Sequence, residues 1–564
     1  MPEITIRGTG ETIVCECGAG LLRMLLAHGV FVDNPCNGTG VCGKCKVRVL
    51  GACVSKMTET ERRLLKPEEI AGGVRLSCMT KIYGDIQVEL LQKERKHRVL
   101  IGGYMPQFEA DSFAGGYGVA VDIGTTTVAM ALIDLATGEE VASASDINAQ
   151  KHFGLDVLTR ITYEYEHGET GIRELQKAIV DSLNGMLDAM CEKADSCCQE
   201  IREIVVAANC TMTHMLLGVD ARSIGRAPYA PVFKAAQVRP ASEIGLRAAE
   251  DTLLYCLPQV SSYIGADIVA GAYVCEMEKQ TGNVLFIDIG TNGEIVLASE
   301  GKLLSCSCAA GPALEGMNIS CGMRAADGAI EDIRMTEDGV EITVIGDCEP
   351  VGLCGSGILA AVRELIGNGF LKKTGAFMQV EALEEGDWRR NILRNEKHAY
   401  DLPKTDANEE NAARLGATGT RRTGKREAVI WEKEDSREIL VTQDDVRQVQ
   451  LAKGAILSGF TALLKKAGIT MENLDKVLIA GQFGAHLPVE SLVGVGILPP
   501  EVKEKIVYVG NSSKTGAYMA LMSKQARREM EALAEKIDYF ELAETTDYER
   551  VFAECMRFHN RKTV

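Results

Sequence analysis

The sequence predicts an α+β domain over residues 1–94 followed by two related α/β lobes, and three observations carry that prediction. Residues 36–45 place three cysteines in one glycine-rich loop, and a fourth, Cys78, closes the same segment. The phrase Asp122-Ile123-Gly124-Thr125 returns as Asp288-Ile289-Gly290-Thr291, 166 residues later, each time at the end of an apolar run. Such an internal repeat means two lobes of one design. Late in the chain a strand runs into a glycine turn at 476–484, and a small-residue helix opens at 510–520.

In the first domain, Ile4 and Ile6, then Ile13 and Cys15, alternate as a hairpin about Gly8-Thr9-Gly10, and Leu21, Leu22, Leu25 and Leu26 form a helical stripe. Val47, Val49 and Leu50 continue as a strand, and Ile86 to Leu90 closes the sheet. Cys36, Cys42 and Cys45 are separated by five and two residues, with Cys78 a further 32 residues on. Gly38, Gly40 and Gly43 let the loop turn its N–H groups toward an inorganic core. The five-residue first gap, where plant-type ferredoxins have four, resembles the adrenodoxin-like ferredoxins and implies a 2Fe-2S cluster. Four thiolates also suit zinc, although only Cys42 and Cys45 have the short pair spacing of zinc modules. Cys15, Cys17 and Cys53 read as packing thiols.

The 564 residues are 46% hydrophobic, enough for two to four domains with large cores. With 79 acidic and 61 basic residues the net charge is −18, which repels phosphate backbones and anionic bilayers, so neither nucleic acid nor membrane is an expected partner. The start Met1-Pro2-Glu3-Ile4-Thr5 lacks a signal sequence, and the expected location is cytoplasmic. In that compartment the nineteen cysteines read as cluster ligands and buried thiols rather than disulfides.

Residues 95–116, containing Gly102-Gly103 and Gly115-Gly116, read as a linker that carries the first domain on a tether. The first lobe is expected over 117–275, its start being either part of that lobe or a separate middle domain, and the second over 276–545, with a tail at 546–564. At each repeat an aspartate, Asp122 or Asp288, ends a buried strand. The following turn, Gly124-Thr125-Thr126-Thr127 or Gly290-Thr291-Asn292-Gly293-Glu294, offers N–H groups and hydroxyls to phosphate oxygens. The two carboxylates are suited to orienting magnesium through water. Gly311, Gly355 and Gly357 belong to further glycine turns that could face phosphate or serve only as turns. Cys306, Cys308, Cys321 and Cys354 read as packing thiols, and His214 either as a buried structural histidine or as an active group. The polar stretch 403–438 reads as a surface insertion, and Thr442 caps a long helix reaching about Lys466.

The paired turns resemble the phosphate hairpins of the actin, Hsp70 and sugar kinase superfamily, with Gly481 and Gly484 where its adenosine loop belongs. The phrases 208–214, 306–316 and 352–358, joined to the amino-terminal cysteine domain, look like the reductive activators of corrinoid-dependent methyltransferases. That resemblance implies a ferredoxin-like (β-grasp) 2Fe-2S domain followed by a two-lobed α/β actin-like ATPase with RNase H-like lobes. It also implies ATP and Mg as ligands, a corrinoid protein and a low-potential electron donor as partners, and a homodimer as one possible assembly. The implied reaction is one-electron reduction of Co(II) to Co(I), assisted by ATP. An activator of 2-hydroxyacyl-CoA dehydratases and a redox-sensing Hsp70-like module are the alternatives.

Overall fold

The computed structural model describes residues 2–7, 10, 12–28, 30, 32, 45–91, 104–111, 113, 115–154, 156–346, 348–395, 426–432, 438–481 and 487–558. Its first domain is a five-stranded sheet in the order β2-β1-β5-β3-β4, formed by β1 (Glu3–Ile6), β2 (Thr12–Val14), β3 (Lys46–Leu50), β4 (Val74–Leu76) and β5 (Ile86–Leu90). Period-two alternation turns Ile4, Ile6, Val47 and Val88 inward, and Leu21, Leu22 and Leu25 of α1 (Leu21–Ala27) cover them. Two short helices, α2 (Glu59–Leu64) and α3 (Pro67–Ala71), precede β4. From α2, Glu61 forms a bidentate pair with Arg75 of β4, at 2.7 and 3.1 Å.

The two lobes repeat one topology. In the first, β6 (Tyr117–Ile123), β7 (Thr127–Asp134) and β8 (Glu139–Ile147) form an antiparallel meander, and β9 (Ile201–Ala208) adds parallel to β6. The kinked helix α4 (Val157–Lys193) and the short α5 (Cys210–Leu216) pack on this sheet, whose far edge is β10 (Gln237–Pro240) and β11 (Leu253–Cys256). After the crossing helix α6 (Ala266–Val274), the second lobe repeats the meander as β12 (Val284–Ile289), β13 (Gly293–Ser299) and β14 (Lys302–Cys308). The register is equivalent at the decisive position. Asp122 lies opposite Ala129 and Ala207, and Asp288 lies opposite Glu294 and Ala480.

A three-stranded sheet of β15 (Ala329–Thr336), β16 (Gly339–Val344) and β17 (Gly352–Leu353) leads into α7 (Gly355–Gly367). A second small sheet joins β18 (Leu393–Asn395), β19 (Arg426–Glu432) and β20 (Glu438–Thr442). Helix α8 (Gln443–Ala467) follows, closed at its start by a Thr442–Asp445 capping box. Then come β21 (Lys476–Ala480), α9 (Val489–Val495), β22 (Ile506–Gly510), α10 (Ser512–Met522), α11 (Lys524–Lys536), β23 (Ile537–Tyr539) and α12 (Tyr548–Cys555).

Helices α6 and α10 cross at the centre of the molecule, and small residues set their separation. A Cβ placed on Gly516 would lie 2.5 Å from the Cβ of Ala270. The last helices return to the first lobe: Tyr518 donates to the Gly138 carbonyl at 2.8 Å, and Arg527 grips Glu203 through two bonds of 2.6 and 2.7 Å. No helix among the described residues is long and apolar enough to cross a membrane.

Two expectations about organisation need correction. The second half of the expected linker is no tether, because residues 104–111 are strapped to the ATPase core. Tyr104 N–H donates to Val509 O, Asp111 N–H donates to Met522 O, and Phe108 packs edge-on against Tyr518. Residues 95–103, its first part, lie outside the described residues. The expected surface insertion 403–438 likewise ends in structure, since β19 buries Ala428 and Ile430 between β18 and β20. The apolar run Ala428-Val429-Ile430 outweighs the polar residues around it.

Candidate functional site: the cleft between the two turns

The two repeated turns meet in one open cleft, lined from both lobes. The first turn is locked from behind. Asn148 Nδ2 donates to the Gly124 carbonyl at 2.9 Å, the buried Arg160 donates to the Thr125 carbonyl at 2.6 Å, and Asn148 N–H donates to the Thr126 carbonyl at 2.9 Å. These carbonyls are engaged and Gly124 N–H donates to the Thr127 carbonyl at 2.9 Å, while the cleft is lined by Gly124, Thr125, Thr126 and Thr127, a turn whose N–H groups suit an anion. Arg160 is fully buried, and burial pulls its guanidinium down to about 10. From the opposite lobe, Arg324 reaches the Thr126 carbonyl at 3.4 Å.

The hydroxyls of Thr126 and Thr291 meet across the cleft at 2.9 Å, and Thr291 also donates to Glu315 Oε1 at 2.6 Å. Glu315 ends the turn Pro312–Glu315, and its Oε2 has no hydrogen-bond partner among the described residues.

Carboxylates dominate the remaining wall. Asp122 accepts from Asn511 Nδ2 and Ser513 Oγ, both at 2.8 Å. Burial pushes Asp288 up to about 8 and Asp267 up to about 7, with their carboxylate neighbours adding to the shift. Asp122 and Glu294 are raised for the same first reason, burial. Four acidic side chains so arranged suit a divalent cation, which would remove both the desolvation cost and the mutual repulsion. Gly481 completes the corner. Its φ of +98° favours glycine, and a Cβ there would lie 2.7 Å from Asp288 Oδ1.

In the first domain, the sulfurs of Cys45 and Cys78 lie 3.2 Å apart. A tetrahedral metal with sulfur bonds of about 2.3 Å sets two ligand sulfurs about 3.8 Å apart, so this pair needs little movement to share one metal.

Residues 117–280 match the RACo middle region, and residues 282–411 and 402–564 match the C-terminal domain of RACo, the ASKHA domain. The chain belongs to the RACo family. Residues 4–83 of this RACo-family chain match the 2Fe-2S iron-sulfur cluster binding domain. The chain is 31% identical to the corrinoid activation enzyme RamQ of Eubacterium limosum over 454 residues, covering 80% of this chain and 72% of that one. It is 24% identical to the [Co(II) methylated amine-specific corrinoid protein] reductase of Methanosarcina barkeri over 452 residues, covering 75% and 73%. A solved structure of a reductive activator for corrinoid, iron-sulfur protein superposes over 100% of both chains, with a TM-score of 0.69 and 26% identity.

The RACo-family chain brings most of the expected site residues together. Asp122, Gly124 to Thr127, Asp288, Gly290 to Asn292, Glu294 and Gly481 all line the cleft. Gly293 lies behind it, against Cys308, and Gly311 is tied to the second turn through a 2.8 Å bond to Thr291 O. Gly355 and Gly357 are not in the wall. Side chains there would collide with the Leu314 and Ile330 carbonyls, so these glycines serve the packing of α7. Cys36, Cys42 and Gly484 lie outside the described residues. His214 is a packing residue: Nδ1 bonds the Cys210 carbonyl at 2.8 Å, Nε2 accepts from Val232 N–H, and the ring stacks on Phe233. Cys306, Cys308 and Cys354 are buried, each with its thiol against a backbone carbonyl.

Sequence reasoning did not single out Asn209, Asp267, Glu315, Asn511 or Ser513, which also line the cleft. The phrases containing them were visible, but only the fold brings the five side chains to one wall.

Proposed function

We propose that this chain is an ATP-dependent reductive activator that returns a corrinoid protein from Co(II) to Co(I). The observation that carries the reading is the union of a cluster-binding domain with a duplicated, phosphate-suited cleft. The relatives named for corrinoid activation and corrinoid reduction support it.

In this reading Cys36, Cys42, Cys45 and Cys78 hold a 2Fe-2S cluster, which supplies a one-electron carrier near about −400 mV. The turns Gly124 to Thr127 and Gly290 to Glu294 grip the phosphates from both sides, Gly481 and Gly484 flank the adenosine, and Asp122 and Asp288 orient Mg. Nucleotide can assist an uphill transfer only by favouring one state of the complex over another. The closing of the lobes on ATP changes the surface offered to the corrinoid protein, and one electron passes to cobalt. A low-potential donor then re-reduces the protein. The place of action is the cytoplasm, and a homodimer is compatible with the scheme.

The test is anaerobic visible spectroscopy of a Co(II) corrinoid protein mixed with this protein and a low-potential reductant, with and without ATP. Appearance of the Co(I) spectrum only with ATP is the expected result. Absence of conversion, despite a reducible cluster and measurable ATP hydrolysis, would favour a redox sensor or an activator of another low-potential enzyme.

A further inference from the structure

We propose that Glu315 is the general base of ATP hydrolysis, taking the proton of the water that attacks the terminal phosphate. The inference rests on the ATP reading above and adds a residue and a role to it.

The hydrogen-bond pattern separates Glu315 from the other acids of the cleft. Asp122 is already held by Asn511 and Ser513. Asp267, Asp288 and Glu294 lie close enough to feel one another's charge, the arrangement of a cation site rather than of a free base. Glu315 instead faces the Thr291 and Thr126 hydroxyls and Arg324. It is 3% exposed, and one of its oxygens has no partner among the described residues.

The bonds also have a direction. Thr291 has one hydroxyl proton and gives it to Glu315 Oε1, so at the 2.9 Å contact between the threonines Thr126 is the donor. The chain therefore runs from the first turn, through the second, to the carboxylate, and it fixes Oε1 while leaving Oε2 for a water. In the step, the water oxygen bonds to the terminal phosphorus while the bond from that phosphorus to the bridging oxygen breaks. Its electron pair stays on ADP, and the water proton passes to Glu315 Oε2, giving ADP and inorganic phosphate. Arg324, bonded to the Thr126 carbonyl, is near enough to Glu315 for its charge to favour the ionised carboxylate that a base requires.

The test uses the full-length, cluster-loaded protein as wild type, E315Q and E315D. Calorimetric binding of a non-hydrolysable ATP analogue with Mg²⁺ is read beside single-turnover hydrolysis of ATP. Loss of a general base costs about 10²–10⁴-fold. E315Q should therefore bind the analogue within about threefold of wild type and hydrolyse at least about 100-fold more slowly. E315D keeps the carboxylate and should fall between the two. Hydrolysis by E315Q within tenfold of wild type overturns the assignment. If E315Q fails to bind because its cleft is disrupted, E315D decides, and a wild-type rate in E315D overturns it. Failure of the wild type itself to bind the analogue removes the ATP reading instead, a separate outcome.

Discussion

Glu61→Gln should loosen the cluster domain severely while leaving the nucleotide cleft untouched. Glu61 is fully buried and Arg75 nearly so, and their bidentate pair is reinforced by the Thr58 N–H at 2.8 Å and the Leu76 N–H at 3.3 Å, both donated to Glu61. Burial alone would raise the Glu61 carboxyl, but the bonds from Arg75 and Thr58 together hold it below its ordinary value. The substitution leaves the Arg75 charge buried without a counterion, which costs about 3–5 kcal/mol. A small domain has only about 5–15 kcal/mol to lose. Leu76 lies two residues before Cys78, so the segment freed by the change carries a proposed cluster ligand. If the cluster leaves through opening of the domain, that destabilisation speeds its loss by roughly 10²-fold or more. The assay is the decay of visible absorbance in the presence of an iron chelator, with binding of an ATP analogue as the control. A decay rate within threefold of wild type would refute the argument that this pair holds the ligand strand in place.

Asp122→Ala should abolish ATP-dependent corrinoid reduction and leave the cluster spectrum unchanged; loss of the spectrum as well would mark Asp122 as a folding residue. Gly516→Ala should lower stability by about 1–3 kcal/mol through overpacking against Ala270, even though alanine is the better helix former by up to about 1 kcal/mol. A raised melting temperature would mean that α6 and α10 separate freely. Glu164 is buried, and burial pushes its carboxyl up to about 7, so the folded state holds a proton that the unfolded chain releases near 4.5. Its contribution is fully present below about 4.5 and is lost as pH rises through about 7. Glu164→Gln should therefore flatten the decline in melting temperature between those values, and parallel profiles for the two proteins would contradict the assignment.

Local chemistry made the two turns readable. Each is a strand end, a tight turn and a second strand, complete within about a dozen residues, and the repetition itself signals two lobes. Asp267 and Glu315 escaped because neither is marked locally: one begins a helix of small residues, the other ends a short turn, and each gains its role from a lobe folding around it. Gly355 and Gly357 show the reverse case. A Gly-Ser-Gly opening a helix is as suitable for close packing as for phosphate, and sequence alone does not tell a carbonyl of the same chain from a ligand oxygen. The strap at 104–111 was hidden for a related reason. Its polar and glycine-rich surroundings are those of a linker, while the contacts that hold it involve the backbone and a few aromatic or apolar side chains.

That strap bears on how nucleotide and cluster communicate. The strand β22 gives its Val509 carbonyl to Tyr104 N–H, and two residues later Asn511 donates to Asp122. Further along, Met522 O at the end of α10 accepts from Asp111 N–H, while Ser513 at its start donates to Asp122. Both anchors of the strap therefore stand on the two elements that hold the first aspartate of the cleft. Any ligand that shifts β22 or α10 relative to Asp122 shifts the anchors with them, and the chain leading back to the cluster domain begins at those anchors. Under the proposed function, the coupling asked of an ATP-driven electron donor would need no long path in this architecture, because one strand end and one helix serve both the cleft and the attachment of the first domain.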